Sequence, residues 1–249
     1  MANPALFRKI DKAVYEYGLI QNGDKILVGA SGGKDSTTLL EYFGWRKKQR
    51  REDFFVAAYH VATEISPGFP DPLRRLIKEW NIPFIIEEIK VLERLKPGKK
   101  MNCWWCSTQR RTELNNYAMA EGFNKIALGH HLDDILETLF MNILKKSELS
   151  TMPPALKYRQ YPVEVIRPLC MCTLEEIINH SEKSGFAMIT CTCNYQDNSE
   201  RKAARQRINK AFPGKEEKLC FFEALRNIRP EYLTYPENKN PFLNIQTME

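Results

Sequence analysis

Ile26-Leu-Val-Gly-Ala-Ser-Gly-Gly-Lys-Asp-Ser36 is the stretch on which the reading of this chain turns. Ile26 to Val28 is a short apolar run of the kind that forms a parallel strand buried on both faces. Ser31 to Ser36 then turns the chain, and Leu39, Leu40 and Phe43 follow at helical spacing. A strand, a glycine-rich turn and a helix together present backbone N–H groups and a helix N-terminus to an anion. Gly32 and Gly33 let the backbone approach a phosphate, Ser31 and Ser36 add hydroxyls, and Lys34 adds a cation beside Asp35. The spacing is not the Gly-x4-Gly-Lys-Ser/Thr of a P-loop, and there is no Gly-x-Gly-x-x-Gly.

Outward from this turn the pattern alternates. A helix is expected over 5–18, then strand 25–30, helix 35–48, strand 54–61, helix 70–80 and strand 83–89. A loop rich in Lys, Pro and Gly leads to about 102. Helix 107–121, strand 124–129, helix 133–146, strand 163–168 and helix 173–184 complete the series. Strands and helices in alternation predict an α/β fold, a parallel five-stranded sheet with helices on both faces, and a helical C-terminal extension. The expected segments are an N-terminal helical stretch (1–22), a nucleotide-binding domain (23–190) and a basic C-terminal segment (191–249). Ligands of such sheets sit at the carboxyl ends of the strands. Ser31 onward, His60 and Gly129-His130 fall at three of those ends.

The 249 residues carry 43% hydrophobic and 27% charged residues, ordinary for one globular core, and a net charge of +6. No apolar run reaches a membrane span and the N-terminus has no signal-peptide core, so a cytoplasmic protein without a membrane partner is expected. Residues 199–218 concentrate seven Lys/Arg against three Glu. Arg201, Lys202, Arg205 and Arg207 cover most of that helix, leaving a narrow apolar stripe with Ala204 and Ile208, a candidate contact for nucleic-acid phosphates. Arg46 to Arg51 is also basic, but as the end of a helix it complements the dipole.

Seven cysteines, at 103, 106, 170, 172, 191, 193 and 220, argue for thiolate or metal chemistry over a disulfide framework. Cys103-Trp-Trp-Cys106 stands just before an expected helix and can serve zinc, an iron–sulfur cluster or a redox pair. Cys170, Cys172 and Cys220 read as buried thiols. Gly129-His-His-Leu-Asp133-Asp134 is a dense polar cluster at a strand end, where metal or base chemistry competes with simple helix capping.

Ser31-Gly-Gly-Lys-Asp-Ser36 resembles the PP-loop of ATP pyrophosphatases, the adenine nucleotide alpha hydrolase-like enzymes that cleave ATP between the α and β phosphates. Taken in order with Cys103-x-x-Cys106, Arg110-Arg111, Ile126 to Phe140, Met152-Pro-Pro154 and Ile166-Arg-Pro-Leu169, the chain resembles the tRNA 2-thiocytidine synthetase family. That resemblance implies ATP, Mg2+ and a [4Fe–4S] cluster as cofactors. Its ligands would be Cys103, Cys106 and Cys193, with Cys191 the alternative for the third. It further implies a nucleotide site of Ser31, Gly32, Gly33, Lys34, Asp35, Ser36, His60, Gly129 and His130. Lys34, Arg110, Asp133 and Asp134 would be catalytic, and Arg111 would join the basic helix in binding tRNA. A cysteine desulfurase or sulfide would supply the sulfur, and the enzyme would be a homodimer acting on cytidine 32 of the anticodon loop. The chain departs from the family in lacking glycine over Lys145–Thr151 and in placing two tryptophans inside the CxxC. Rival expectations are thiolation of uridine, a small-molecule substrate, or a non-catalytic metal-bearing RNA-binding protein.

Overall fold

The computed structural model describes residues 4–66, 68–158, 161–186 and 199–234. Its elements are α1 (Ala5–Glu16), β1 (Lys25–Gly29), α2 (Lys34–Gln49), β2 (Phe55–Thr63), α3 (Asp71–Glu79), β3 (Phe84–Ile89), α4 (Cys103–Ala120), β4 (Lys125–Ala127), α5 (Leu132–Lys146), β5 (Ala155–Lys157), β6 (Glu164–Ile166), α6 (Leu174–Lys183), α7 (Ser199–Ala211) and α8 (Lys215–Ala224). A single-turn 3-10 helix, Pro230–Tyr232, follows. Two compact units result, Met1–Ala211 and Phe212–Glu249.

The sheet has six strands in the order β3-β2-β1-β4-β6-β5. Five are parallel, as the alternation predicts, and β5 is added antiparallel to β6, with Ala155 opposite Ile166. That sixth strand was not expected, because its three residues are half-buried to exposed and show no apolar alternation. β1 pairs with β2 from Lys25↔Phe55 and with β4 from Ile26↔Lys125, so the chain moves outward on one side of β1 and then crosses to the other. The crevice between the C-terminal ends of β1 and β4 is therefore the topological switch point.

Successive strand residues alternate between two cores, as a sheet covered on both faces requires. Ile26, Val28, Val56 and Ala58 face α1, α2, α3 and α6, meeting Ile10, Leu39, Phe43, Leu73 and Ile177. Leu27, Ala57, Tyr59 and Val165 face the other way, onto Leu114 and Ala118 of α4. The Lys9–Glu176 ion pair at 2.8 Å ties α1 to α6, whose N-terminus is closed by a Thr173/Glu176 capping box. Gly44 of α2 is required by packing, since a Cβ there would stand 2.7 Å from Cβ of Trp80.

α4 begins four residues earlier than expected. The Asn102 side chain accepts the Trp105 N–H at 2.8 Å and starts the helix at Cys103, so the CxxC is the first turn of α4 rather than a loop before it. In the second unit, Phe212 and Phe221 stack with ring centroids 4.9 Å apart and Phe222 is buried.

Candidate functional site

The turn after β1 is internally braced. The Ser31 N–H donates to Ser36 Oγ at 3.1 Å, the Ser31 and Ser36 hydroxyls lie 2.9 Å apart, and Ser36 Oγ donates to the Gly33 carbonyl at 3.1 Å. Gly32 adopts φ +80°, which favours glycine. Gly33 is the N-cap of α2, and the Lys34 ammonium lies 3.1 Å from Asp35 Oδ1. The result is a preformed loop ahead of a sixteen-residue helix, open to an anion.

Gly129 holds this loop from the neighbouring strand. A Cβ on Gly129 would lie 3.0 Å from the Ser36 amide nitrogen and 3.1 Å from the Asp35 carbonyl carbon. Its place in the site is thus one of close backbone approach across the switch point. His60 Nδ1 donates to the Ala30 carbonyl at 2.7 Å, leaving Nε2 as a buried acceptor without a partner among the described residues. Burial pushes the His60 pKa down, opposed by that carbonyl, so the ring is neutral. His130 behaves alike: burial, opposed by Asp134, lowers its pKa to about 4, and its Nδ1 has no hydrogen-bond partner among the described residues.

A cavity of about 940 Å³ opens at the same edge of the sheet. Ser31 lines it, together with His130, Cys103, Arg110, Arg111 and Arg201 from the predicted set. The expected phosphate-loop, cysteine and arginine groups therefore share one space, although they come from three separate parts of the chain. The rest of the predicted set that lies among the described residues does not line it: Gly32 to Ser36, His60 and Gly129 form the loop and its support. Cys106 lies one turn beyond Cys103 on α4.

Asp133 and Asp134 are engaged elsewhere. Asp133 accepts the Leu174 N–H at 2.7 Å, joining α5 to the start of α6. Asp134 accepts the His131 N–H at 3.2 Å and pairs with Arg201 at 3.2 Å. Both carboxylates act as structural acceptors, and neither is presented as a spare magnesium ligand. The basic helix is engaged as well. Ala204 and Ile208 of α7 are buried, and Arg205 meets the buried Glu137 carboxylate at 2.5 Å. Burial raises the Glu137 pKa against the opposing pull of Arg205. Lys202 and Arg207 stay exposed.

Arg167 is the cavity residue that the sequence did not reveal. It is 6% exposed; one Nη donates to the Pro153 carbonyl at 2.6 Å, and Nε is buried without a partner among the described residues. Among the described residues no carboxylate pairs with it. Burial lowers its pKa, yet a guanidinium stays charged, so the cavity contains a buried cation with no anion beside it among the described residues. Within an Ile-Arg-Pro-Leu segment, nothing in the local pattern signals that burial.

Two thiols one turn apart in the first turn of α4 suit an anionic metal–sulfur centre, because a helix N-terminus favours negative charge. The third expected ligand, Cys193, and its alternative Cys191 lie outside the described residues. Among the described residues no three His, Cys, Asp or Glu side chains gather as a metal site, and no helix is long and apolar enough to cross a membrane.

Comparison with known proteins agrees with this geometry. The PP-loop domain family matches residues 3–212. The chain is similar to the tRNA-cytidine(32) 2-sulfurtransferase of Methylococcus capsulatus, 39% identical over 236 residues that cover 92% of this chain and 81% of the relative. It is also similar to the protein of that name from Chromobacterium violaceum, 36% identical over 246 residues, 96% of this chain and 76% of the relative. Among solved structures it shares its fold with the U34-tRNA thiolase NcsA from Methanococcus maripaludis, solved with its [4Fe-4S] cluster. The TM-score is 0.70 at 24% identity, covering 90% of this chain and 79% of that one.

Proposed function

This chain belongs to the PP-loop family, in the branch of the tRNA-cytidine 2-sulfurtransferases, and from that premise we propose that it replaces the C2 oxygen of a tRNA cytidine with sulfur at the expense of ATP. One observation carries the reading: the phosphate-loop residue Ser31 and the thiol-bearing turn of α4 open into one cavity, with Arg110, Arg111 and Arg167 around it.

The first step is adenylation. The C2 carbonyl oxygen attacks the α phosphorus, the bond between α and β phosphates breaks, and pyrophosphate leaves. The loop N–H groups and Lys34 hold the phosphates, with Mg2+ carried by the triphosphate as its counter-ion. Charge that develops on the phosphoryl oxygens faces preorganised donors, Arg110 and the Nε of Arg167, which has no partner among the described residues. Neutral His130 can accept a hydrogen bond at Nδ1 from the base or the adenylate. In the second step a sulfur nucleophile adds to C2, the C2–O bond breaks, and AMP leaves with the oxygen. A [4Fe–4S] cluster on Cys103, Cys106 and Cys193 would supply an iron position on which inorganic sulfur is held for delivery. A cysteine desulfurase or sulfide would renew that sulfur.

The test is nucleoside mass spectrometry after anaerobic incubation of the reconstituted protein with unmodified tRNA, ATP, Mg2+ and sulfide. 2-Thiocytidine is expected, and its loss in Cys103→Ala, Cys106→Ala and Cys193→Ala. A thiolated uridine would move the reading to another base. The absence of any thiolated nucleoside, from protein that binds ATP and carries its cluster, would overturn it.

A further inference from the structure

The two tryptophans inside the CxxC have different fates. Trp105 is turned inward: its ring packs into the core beside Val91 and its Nε1 donates to the Val91 carbonyl at 3.3 Å. Trp104 is 69% exposed. It is the most exposed of the four tryptophans, the other three being at least half-buried. An indole left in water is a large apolar surface without cover, and at the rim of a site it signals a ligand. Trp104 lines the cavity beside Cys103.

The chain that leads to it is basic. Lys96, Lys99 and Lys100 are all exposed and within eight residues of Trp104 in the loop that delivers α4. None of the three has an ion-pair partner among the described residues, whereas Lys90 and Arg94 of the same loop are paired with Glu93 and Glu113. Seven residues after Trp104, two turns on and so on the same helix face, comes exposed Arg111, which also lines the cavity. Ser107 lies between them on that face and lines the cavity too. An aromatic plane flanked by cations is the arrangement that binds an unstacked base and its backbone phosphates. The basic helix α7, by contrast, has Arg201 and Arg205 engaged with Asp134 and Glu137.

We propose that Trp104 is the stacking platform for an unpaired nucleobase of the tRNA, with Lys96, Lys99, Lys100 and Arg111 holding the adjoining phosphates. The inference rests on the tRNA-modification reading above and locates its substrate surface on the entry to α4. Chemistry on C2 of a base requires that base outside its stack, and an exposed indole at the cavity mouth offsets the lost stacking.

The experiment compares wild type, Trp104→Ala and Trp104→Phe, all reconstituted and checked for equal iron content, in steady-state thiolation of unmodified tRNA. Trp104→Ala should raise KM for tRNA at least about tenfold with KM for ATP unchanged, and Trp104→Phe should restore it to within about threefold. A tRNA KM within twofold of wild type in Trp104→Ala overturns the proposal, as does an equal loss in both variants. A parallel titration of intrinsic fluorescence with the same tRNA needs no turnover. Quenching in wild type that disappears in Trp104→Phe supports the platform, and quenching of equal amplitude in both overturns it. Should wild type bind tRNA with that signature and yet thiolate nothing, the sulfurtransferase reading fails while the platform stands. Replacing Lys96, Lys99 and Lys100 by Ala should lower the slope of log affinity against log salt by about two; an unchanged slope removes the lysines from the surface.

Discussion

Lys125 and Arg167 are long cations buried to nearly the same degree at opposite ends of adjacent strands, 5% and 6% exposed. Lys125 opens β4. Its ammonium meets Asp24 at 2.9 Å, Glu164 at 3.7 Å and the Leu19 carbonyl at 3.0 Å. Asp24 in turn accepts from Asn124 at 2.8 Å and from the Gln21 N–H at 2.6 Å, so that end of the sheet is a closed network. Arg167 follows β6 at the other end, where it donates to a carbonyl, while His60, His130 and Arg167 each retain a buried ring or guanidinium nitrogen without a partner among the described residues. Buried polar groups in folded proteins are paired as a rule. One end of this sheet obeys that rule and stabilises the fold. The other departs from it where a ligand must complete it.

The sharpest way to break this contrast is to exchange each cation for an apolar residue of similar length. Lys125→Met strands Asp24 and should cost about 3 kcal/mol of unfolding free energy with kcat little changed, read by denaturant titration. Arg167→Met should do the reverse. Removing a buried charge with no counter-charge leaves the melting temperature unchanged or higher, and thiolation kcat/KM should fall about 100-fold. If both variants lose stability alike, the two ends do not differ in kind.

Gly129→Ala probes the contact between the ends of β1 and β4. With Ser36 N only 3.0 Å from the new Cβ, the loop must shift. KM for ATP should rise about tenfold, with about 1–2 kcal/mol of stability lost. The smallest effect is on pH. The folded-state pKa of His130 is about 4, below the 6.5 of an unfolded histidine. Between those values the unfolded chain binds the proton and the folded chain does not, so stability declines as pH falls from about 6.5 toward 4. Equilibrium unfolding at pH 7 and pH 5.5 should show about 1 kcal/mol less of this decline in His130→Asn than in wild type.

The expectation of the fold held where structure is local in the chain. Residues 26–36 contain a strand, a turn and a helix start that need no distant partner to be recognised, and the parallel alternation follows from apolar period alone. It missed what depends on residues far away. The ion pairs of Arg201 and Arg205 with Asp134 and Glu137 were not legible, because these acidic partners are 67 and 68 positions earlier. The start of α4 was misplaced because the Asn102 cap acts through one side-chain contact. Arg167, expected near the end of strand 163–168, was not singled out, because its carbonyl partner comes from the Pro153 segment that precedes β5.

The bracing of Ser31, Gly33 and Ser36 has a kinetic consequence. A loop whose hydroxyls and amides already hold one another has little conformational search left when a nucleotide arrives. Association should then be a single bimolecular event, with an observed rate that climbs in proportion to ATP concentration and shows no plateau from a preceding loop rearrangement.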